Sequence, residues 1–118
     1  MKDKRQVMWD LEKPLHDHII IKTRKKVDGP VQPLEPEYDI FMELWSKKEH
    51  LRGREFWAAK AVNAENSVKF YIRYRTDINT EMKLLNEKTL YDINAVYPLD
   101  NSKMWTIILA SEVKNVGV

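Results

Sequence analysis

The sequence predicts a mainly β (α+β) fold: a small antiparallel β-barrel or rolled sheet with one helix inserted after the second strand. Three observations carry this. Apolar and polar residues alternate in several short runs, most cleanly Val68, Phe70, Ile72 and Tyr74 against Lys69, Tyr71, Arg73 and Arg75. Only Gly53–Glu65 is rich in good helix formers and free of proline. A chain of 118 residues is one domain by length, and with 43% hydrophobic residues it supplies one small core.

The elements follow in order. Residues 1–14 mix charges with scattered apolar side chains and end at Pro14, so they read as an arm before a single domain over 15–118, with a short helical turn around Val7–Leu11. From His16 the period becomes two, with Ile19 and Ile21 on one face and His18, Ile20, Lys22 and Arg24 on the other. Residues 27–37 hold three of the five prolines, which lack donors and restrain their predecessors, so this is a loop. A second strand spans about Tyr38–Lys48, with Ile40, Met42 and Leu44 on one face and Phe41 and Trp45 on the other. Large apolar residues on both faces suit a central or covered strand.

The helix over Gly53–Glu65 starts poorly. Arg52 stands where Ser, Thr or Asp caps best, leaving Gly53 as the nearest tolerable cap. The strand around Val68–Arg75 comes next, then a helical turn at Asn79–Met82. A hairpin joins Lys83–Leu85 to Leu90–Val96 across Asn86-Glu87-Lys88. Beyond the turn-rich Pro98–Lys103, Met104–Val113 forms the last strand, with Trp105, Ile107 and Leu109 on one face. The expected core is Trp45, Phe70, Ile72, Ile93 and Ile107. The arm 1–14 and the loop 27–37 are expected to be the most mobile parts.

Composition excludes several functions. The net charge is only +2, and neither half is a basic arm or acidic tail, so bulk charge argues for neither nucleic acid nor membrane. With no cysteine there is no disulfide, thiolate metal site or cysteine nucleophile. The apolar run Ile107–Ala110 is far too short to span a bilayer, and the first ten residues lack a signal-peptide core, so synthesis inside the cell is expected. Gly29, Gly53 and Gly117 stand alone, without a phosphate-binding loop. His16 and His18 share a strand face but lack a third ligand, so they read as an exposed strand start. No catalytic motif surrounds the serines or carboxylates. The reading is therefore a non-enzyme with no cofactor and no metal.

Two features suit contact with a partner. Tyr71, Arg73 and Arg75, with Tyr74, resemble the aromatic and basic face of an oligonucleotide-binding barrel, yet they equally suit a protein interface. The small net charge favours the interface. Four tryptophans in so small a chain also argue that at least one meets a partner.

Word order then adds a resemblance. Trp45-Ser-Lys-Lys-Glu49-His-Leu51-Arg-Gly53-Arg54-Glu55-Phe56-Trp57 resembles the W-x-x-x-E-x-L-x-G-R-E-F stretch of phage head–tail joining proteins, also called head-completion or head-closure proteins. Ile72-Arg73-Tyr74-Arg75-Thr76-Asp77-Ile78 resembles that family's I-R-Y-R-x-x-I. Met82-Lys83 with Tyr91-Asp92-Ile93 resembles its M-R … Y-D-I, in the same order and at similar spacing. The likeness covers roughly residues 15–113. Two departures stand out: Arg52 replaces a frequent Ser, and the hairpin turn lacks the usual Gly.

The resemblance implies a structural protein of a phage or prophage virion. It would bind below the portal or adaptor ring, close the DNA exit channel and provide the platform for a tail-completion protein. It would self-associate there as a ring, twelvefold by the resemblance, with packaged DNA nearby but not read by sequence and no membrane involved. It would pass through the bacterial host cytoplasm during assembly. With 32% charged residues and no long continuous apolar patch, the chain is expected to be a monomer in dilute solution that assembles only on a portal or adaptor ring. Candidate interface or channel residues are Arg52, Arg54, Glu55, Phe56, Trp57 and Lys60 on the helix, and Tyr71, Arg73 and Arg75 on the strand. The segment Leu51–Glu65 is expected to change conformation on assembly. The alternative is a small oligonucleotide- or ligand-binding β-barrel module, which salt-dependent binding of short DNA would favour.

Overall fold

The structure, a computed structural model, describes residues 15–26, 29 and 37–113. The expectations for the arm 1–14, and for 27–37 apart from Gly29 and Glu37, fall outside the described residues. Six strands and one helix follow as β1 (Asp17–Arg24), β2 (Tyr38–His50), α1 (Gly53–Lys60), β3 (Val68–Arg73), β4 (Lys83–Asn86), β5 (Thr89–Pro98) and β6 (Trp105–Glu112). Every pairing is antiparallel, and the sheet closes into a barrel in the order β1-β2-β3-β6-β5-β4. The predicted fold class and element order are both present.

Alternation along each strand fills the barrel. Ile19 and Ile21, Val68, Phe70 and Ile72, Leu84, Tyr91 and Ile93, and Ile108 and Ala110 point inward and are buried. Met42, Leu44 and Val96 pack against them, half-buried. Ile78 and Met82, from the turn between β3 and β4, join this cluster. Phe70 meets Tyr91 edge-on with ring centroids 5.4 Å apart, a favoured aromatic geometry. In place of the expected helical turn at Asn79–Met82 there is a tight turn, in which Asn79 Oδ1 accepts from the Glu81 N–H at 2.9 Å.

β2 is long because it serves two partners, β1 along Tyr38–Ser46 and β3 along Lys47–His50. Asp17 fixes the changeover. Its carboxylate accepts from the Lys48 N–H at 2.9 Å, and its backbone carbonyl accepts from Ser46 Oγ at 2.9 Å.

Two expectations for β2 are corrected. Trp45 is no core residue: it is 59% exposed, because Leu44 and Met42 take the inward positions opposite Ile19 and Ile21. Ile40 does not share their face. The register slips between Ile21 and Lys22, leaving Phe41 as an extra residue and pairing Ile40 with the outward Lys22. Ile107 is buried in the core as expected, in a second cluster with Tyr71 and Trp105 against which Leu15 and Leu99 pack. Phe70, Ile72 and Ile93 lie in the core as expected.

The helix is shorter than Gly53–Glu65. α1 ends at Lys60, and residues 61–63 form a turn with Asn63 in the left-handed region at φ 57. The Ala64 N–H bonds to the Ala59 carbonyl at 2.8 Å and the Asn63 N–H to the Lys60 carbonyl at 3.1 Å, the Schellman arrangement. Asparagine tolerates that conformation better than most residues, so Asn63 stops the helix where the run of alanines would let it continue.

Candidate interface site

Helix α1 starts without a side-chain cap. Arg52 is extended and makes no capping bond, and Gly53 follows at φ 56, a conformation glycine adopts without steric cost. The first amide groups therefore lack the partner a hydroxyl or carboxylate cap would supply. None of the helix's residues is buried.

One ion pair ties α1 to the barrel, between Glu55 and Lys69 on β3, and Phe56 is half-buried. Phe56 also meets Trp57 edge-on at 5.4 Å. Trp57 itself is 64% exposed, with Lys60 Nζ 5.0 Å from its ring centroid. Arg52, Arg54 and Lys60 are all exposed, and the helix's one acid, Glu55, is engaged by Lys69. The outer surface of α1 is therefore an aromatic knob among three cations. In the segment after α1, one carboxylate oxygen of Glu65, Oε2, is buried without a hydrogen-bond partner.

The strand candidates divide. Lys69, Tyr71 and Arg73 follow one another along the outer face of β3. Tyr71 is only 3% exposed, within the second apolar cluster. Its phenol is pushed well above its ordinary range, chiefly by burial and then by Glu49, Glu55 and Tyr97. Tyr97 on β5 is also raised, chiefly by burial, with Lys69 opposing and Glu55 adding. Arg73 lies over the Trp105 ring at 4.4 Å. Arg75 grips Asp77 through two bonds of 3.0 and 2.8 Å, which holds that carboxyl below its usual range. In the stripe read as a stacking surface, Tyr71 is thus covered and both arginines are engaged, while Tyr74 is half-buried.

Lys69 joins the two groups of candidates, since it bonds Glu55 and neighbours Tyr71 on the same strand face. Arg73 and Arg75 continue away from the helix. Sequence reasoning missed other exposed apolar residues: Ile40, Phe41 and Trp45 on β2, Val62 after α1, and Met104 before β6. Trp45 contacts His18 edge-on at 5.2 Å, and His18 lies 3.8 Å from Glu43. The signal for Trp45 lay in its parity opposite Leu44.

Fold and site together define a small closed β-barrel that displays aromatic and cationic side chains on a lightly held outer helix. The phage head completion protein family matches residues 13–113, and the chain belongs to that family. No curated protein matches at a significant level. Among solved structures, the chain is similar to protein SF1141 from Shigella flexneri 2a, at 24% identity and a TM-score of 0.70, covering 83% of this chain and 92% of that one. It is also similar to a chain of the virion of a native gene transfer agent particle, at 15% identity and a TM-score of 0.57, covering 86% and 97%. At these identities the two likenesses show the fold.

Proposed function

We propose that the chain binds below the portal or adaptor ring of a DNA-filled head, closes the exit channel there and offers the platform to which a tail-completion protein attaches. The observation that carries this reading is α1, a helix outside the barrel with no buried residue, which presents Trp57 among Arg52, Arg54 and Lys60. Family membership supports the head-completion role and the virion as its place of work. The finer roles rest on the physics of the helix.

Large aromatic and arginine side chains are the anchors of protein interfaces, and Phe56, Trp57, Arg52 and Arg54 stand together on one short segment. Copies around a ring meet through different patches on each subunit, and a helix tied by one ion pair shifts at little cost to the barrel. Its cations also suit a position beside packaged DNA, where they act on phosphates without reading sequence. Arg73 and Arg75, already engaged by Trp105 and Asp77, serve to shape the surface at the far end of β3.

The test uses DNA-filled heads assembled without this chain. Adding the purified protein is expected to make them retain DNA and accept tails. Heads that bind the protein yet still leak DNA would remove channel closure from the reading, and heads that never bind it would remove the whole.

A further inference from the structure

β2 and β5 are the long strands of the barrel, and each outruns one neighbour. β2 pairs with β1 along Tyr38–Ser46 but with β3 only along Lys47–His50. β5 pairs with β6 along Tyr91–Pro98 but with β4 only along Thr89–Asp92. Among the described residues, no backbone hydrogen bond reaches the β3-side edge of Tyr38–Ser46 or the β4-side edge of Ile93–Pro98. Such edges present unpaired N–H and C=O groups, a template for a further strand. In the closed strand order, the β2/β3 seam and the β5/β4 seam lie on opposite sides of the barrel.

We infer that the open β2 edge of one copy pairs with the open β5 edge of the next, so that an intermolecular β-ladder joins neighbours around the ring. The ring as its setting rests on the proposed head-completion role. Charge argues against the pairing of two β2 edges. The β2 edge carries Asp39 and Glu43 and no cation. Two such edges, antiparallel about Phe41, set Asp39 opposite Glu43, and like charges directly opposite destabilise a ladder. The β5 edge, Ile93–Pro98, carries no charge, so it accepts β2 without that penalty.

Side chains agree. Trp45 and Phe41 lie exposed along one edge, and Tyr97 is exposed on the outer face of the other. Aromatic neighbours across strands strengthen a ladder. Pro98, which has no N–H to donate, ends the stretch of β5 that can pair.

Both edges also carry a bulge, with Phe41 extra on β2 and Asn94 extra on β5. Bulges bend an edge and discourage chance pairing. They keep dilute copies apart until a template aligns them. Because the contact joins different patches on opposite sides, it repeats around a ring, whereas paired identical edges would stop at a dimer.

The chain has no cysteine, so introduced thiols report contacts cleanly. Glu43→Cys and Tyr97→Cys are placed in one chain and treated with a short bismaleimide, which tolerates a slip in register. The measurement is made on completed heads and on the concentrated purified protein. A ladder of covalent oligomers from the double variant, with none from either single variant, is the expected result. Dimers from Glu43→Cys alone would overturn the pairing in favour of two β2 edges. Completed heads without any ladder would overturn the pairing and leave the head-completion role intact. A ladder in concentrated protein that completes no heads would support the pairing and overturn that role. Should the first variant not fold, Asn94→Cys replaces Tyr97→Cys on the same edge, and absence of a ladder there counts equally against the pairing.

Discussion

Lys69 on β3 reaches Glu55 on α1, and this ion pair ties the helix to the outside of the barrel. Lys69 is nearly buried, whereas Glu55 keeps 40% of its side-chain surface exposed. One exposed partner limits such a pair to about 1 kcal/mol or less. Its effect falls on the helix, which has no buried residue to hold it otherwise. Lys69→Met is therefore expected to speed amide exchange across Glu55–Lys60 while leaving the global denaturation midpoint nearly unchanged. Equal acceleration in β3 and β6 would show that Lys69 supports the barrel rather than the helix.

Phe70 is fully buried at the centre of the barrel, whereas Trp45 is mostly exposed. Phe70→Ala is expected to cost about 3–5 kcal/mol, a large share of the stability of a domain of this size. Trp45→Ala should change stability by about 0.5 kcal/mol at most, as for other surface sites. Denaturant titration of the two variants checks both values. A large loss at Trp45 would return it to the core.

How much of this was legible in the sequence differs from residue to residue. The period-two runs at Ile19 and Ile21 and at Val68, Phe70 and Ile72 read correctly, because their alternate positions are mostly polar. Tyr71 beside Ile72 did not, since both parities are apolar and a one-residue slip exchanges the faces. The deciding information lay elsewhere in the chain, in Leu15 and Leu99, which pack against Tyr71, Trp105 and Ile107. Phe41 was opaque for another reason: a bulge leaves no compositional mark in a strand this apolar. The helix start was legible from Arg52 and Gly53. Its end was not, because Asn63 acts through one left-handed backbone angle.

Burial and nearby carboxylates raise the Tyr71 phenol in the folded chain. Below about pH 10, the ordinary tyrosine value, it is neutral in both states and its contribution is fully present. As pH rises further, the unfolded chain releases the proton first, and stability falls by at most about 1.4 kcal/mol per pH unit. Tyr71→Phe is expected to flatten that alkaline limb, leaving a residual slope from Tyr97. Identical alkaline midpoints for variant and parent would contradict this.

Glu87 holds φ 56 at the first position of the two-residue turn between Asn86 and Thr89. Turns of type II′ favour glycine there. Relief of the left-handed penalty, less glycine's extra chain entropy, is expected to make Glu87→Gly more stable by about 0.5–1 kcal/mol. Thermal unfolding measures the difference, and a loss of stability would mean that Glu87 makes a compensating contact through its side chain.

The sharpest test falls on α1. Phe56 is half-buried and Trp57 is 64% exposed, and neither belongs to either buried cluster. Replacing Trp57 therefore removes little buried area, and replacing Phe56 removes part of one contact, for a combined cost of about 1–2 kcal/mol. A barrel closed by six strands should survive that loss. Phe56→Ser with Trp57→Ser is accordingly expected to leave a folded chain with the parent's circular dichroism and a slightly lower midpoint. On heads assembled without the protein, the same variant is expected to fail at tail joining or to let packaged DNA leak, because the interface anchors are gone while the barrel remains. Unfolding of the isolated variant would instead make α1 a structural lid on the barrel wall. Unchanged folding together with normal head completion would take the functional element away from α1 altogether and direct attention to the exposed face of β2.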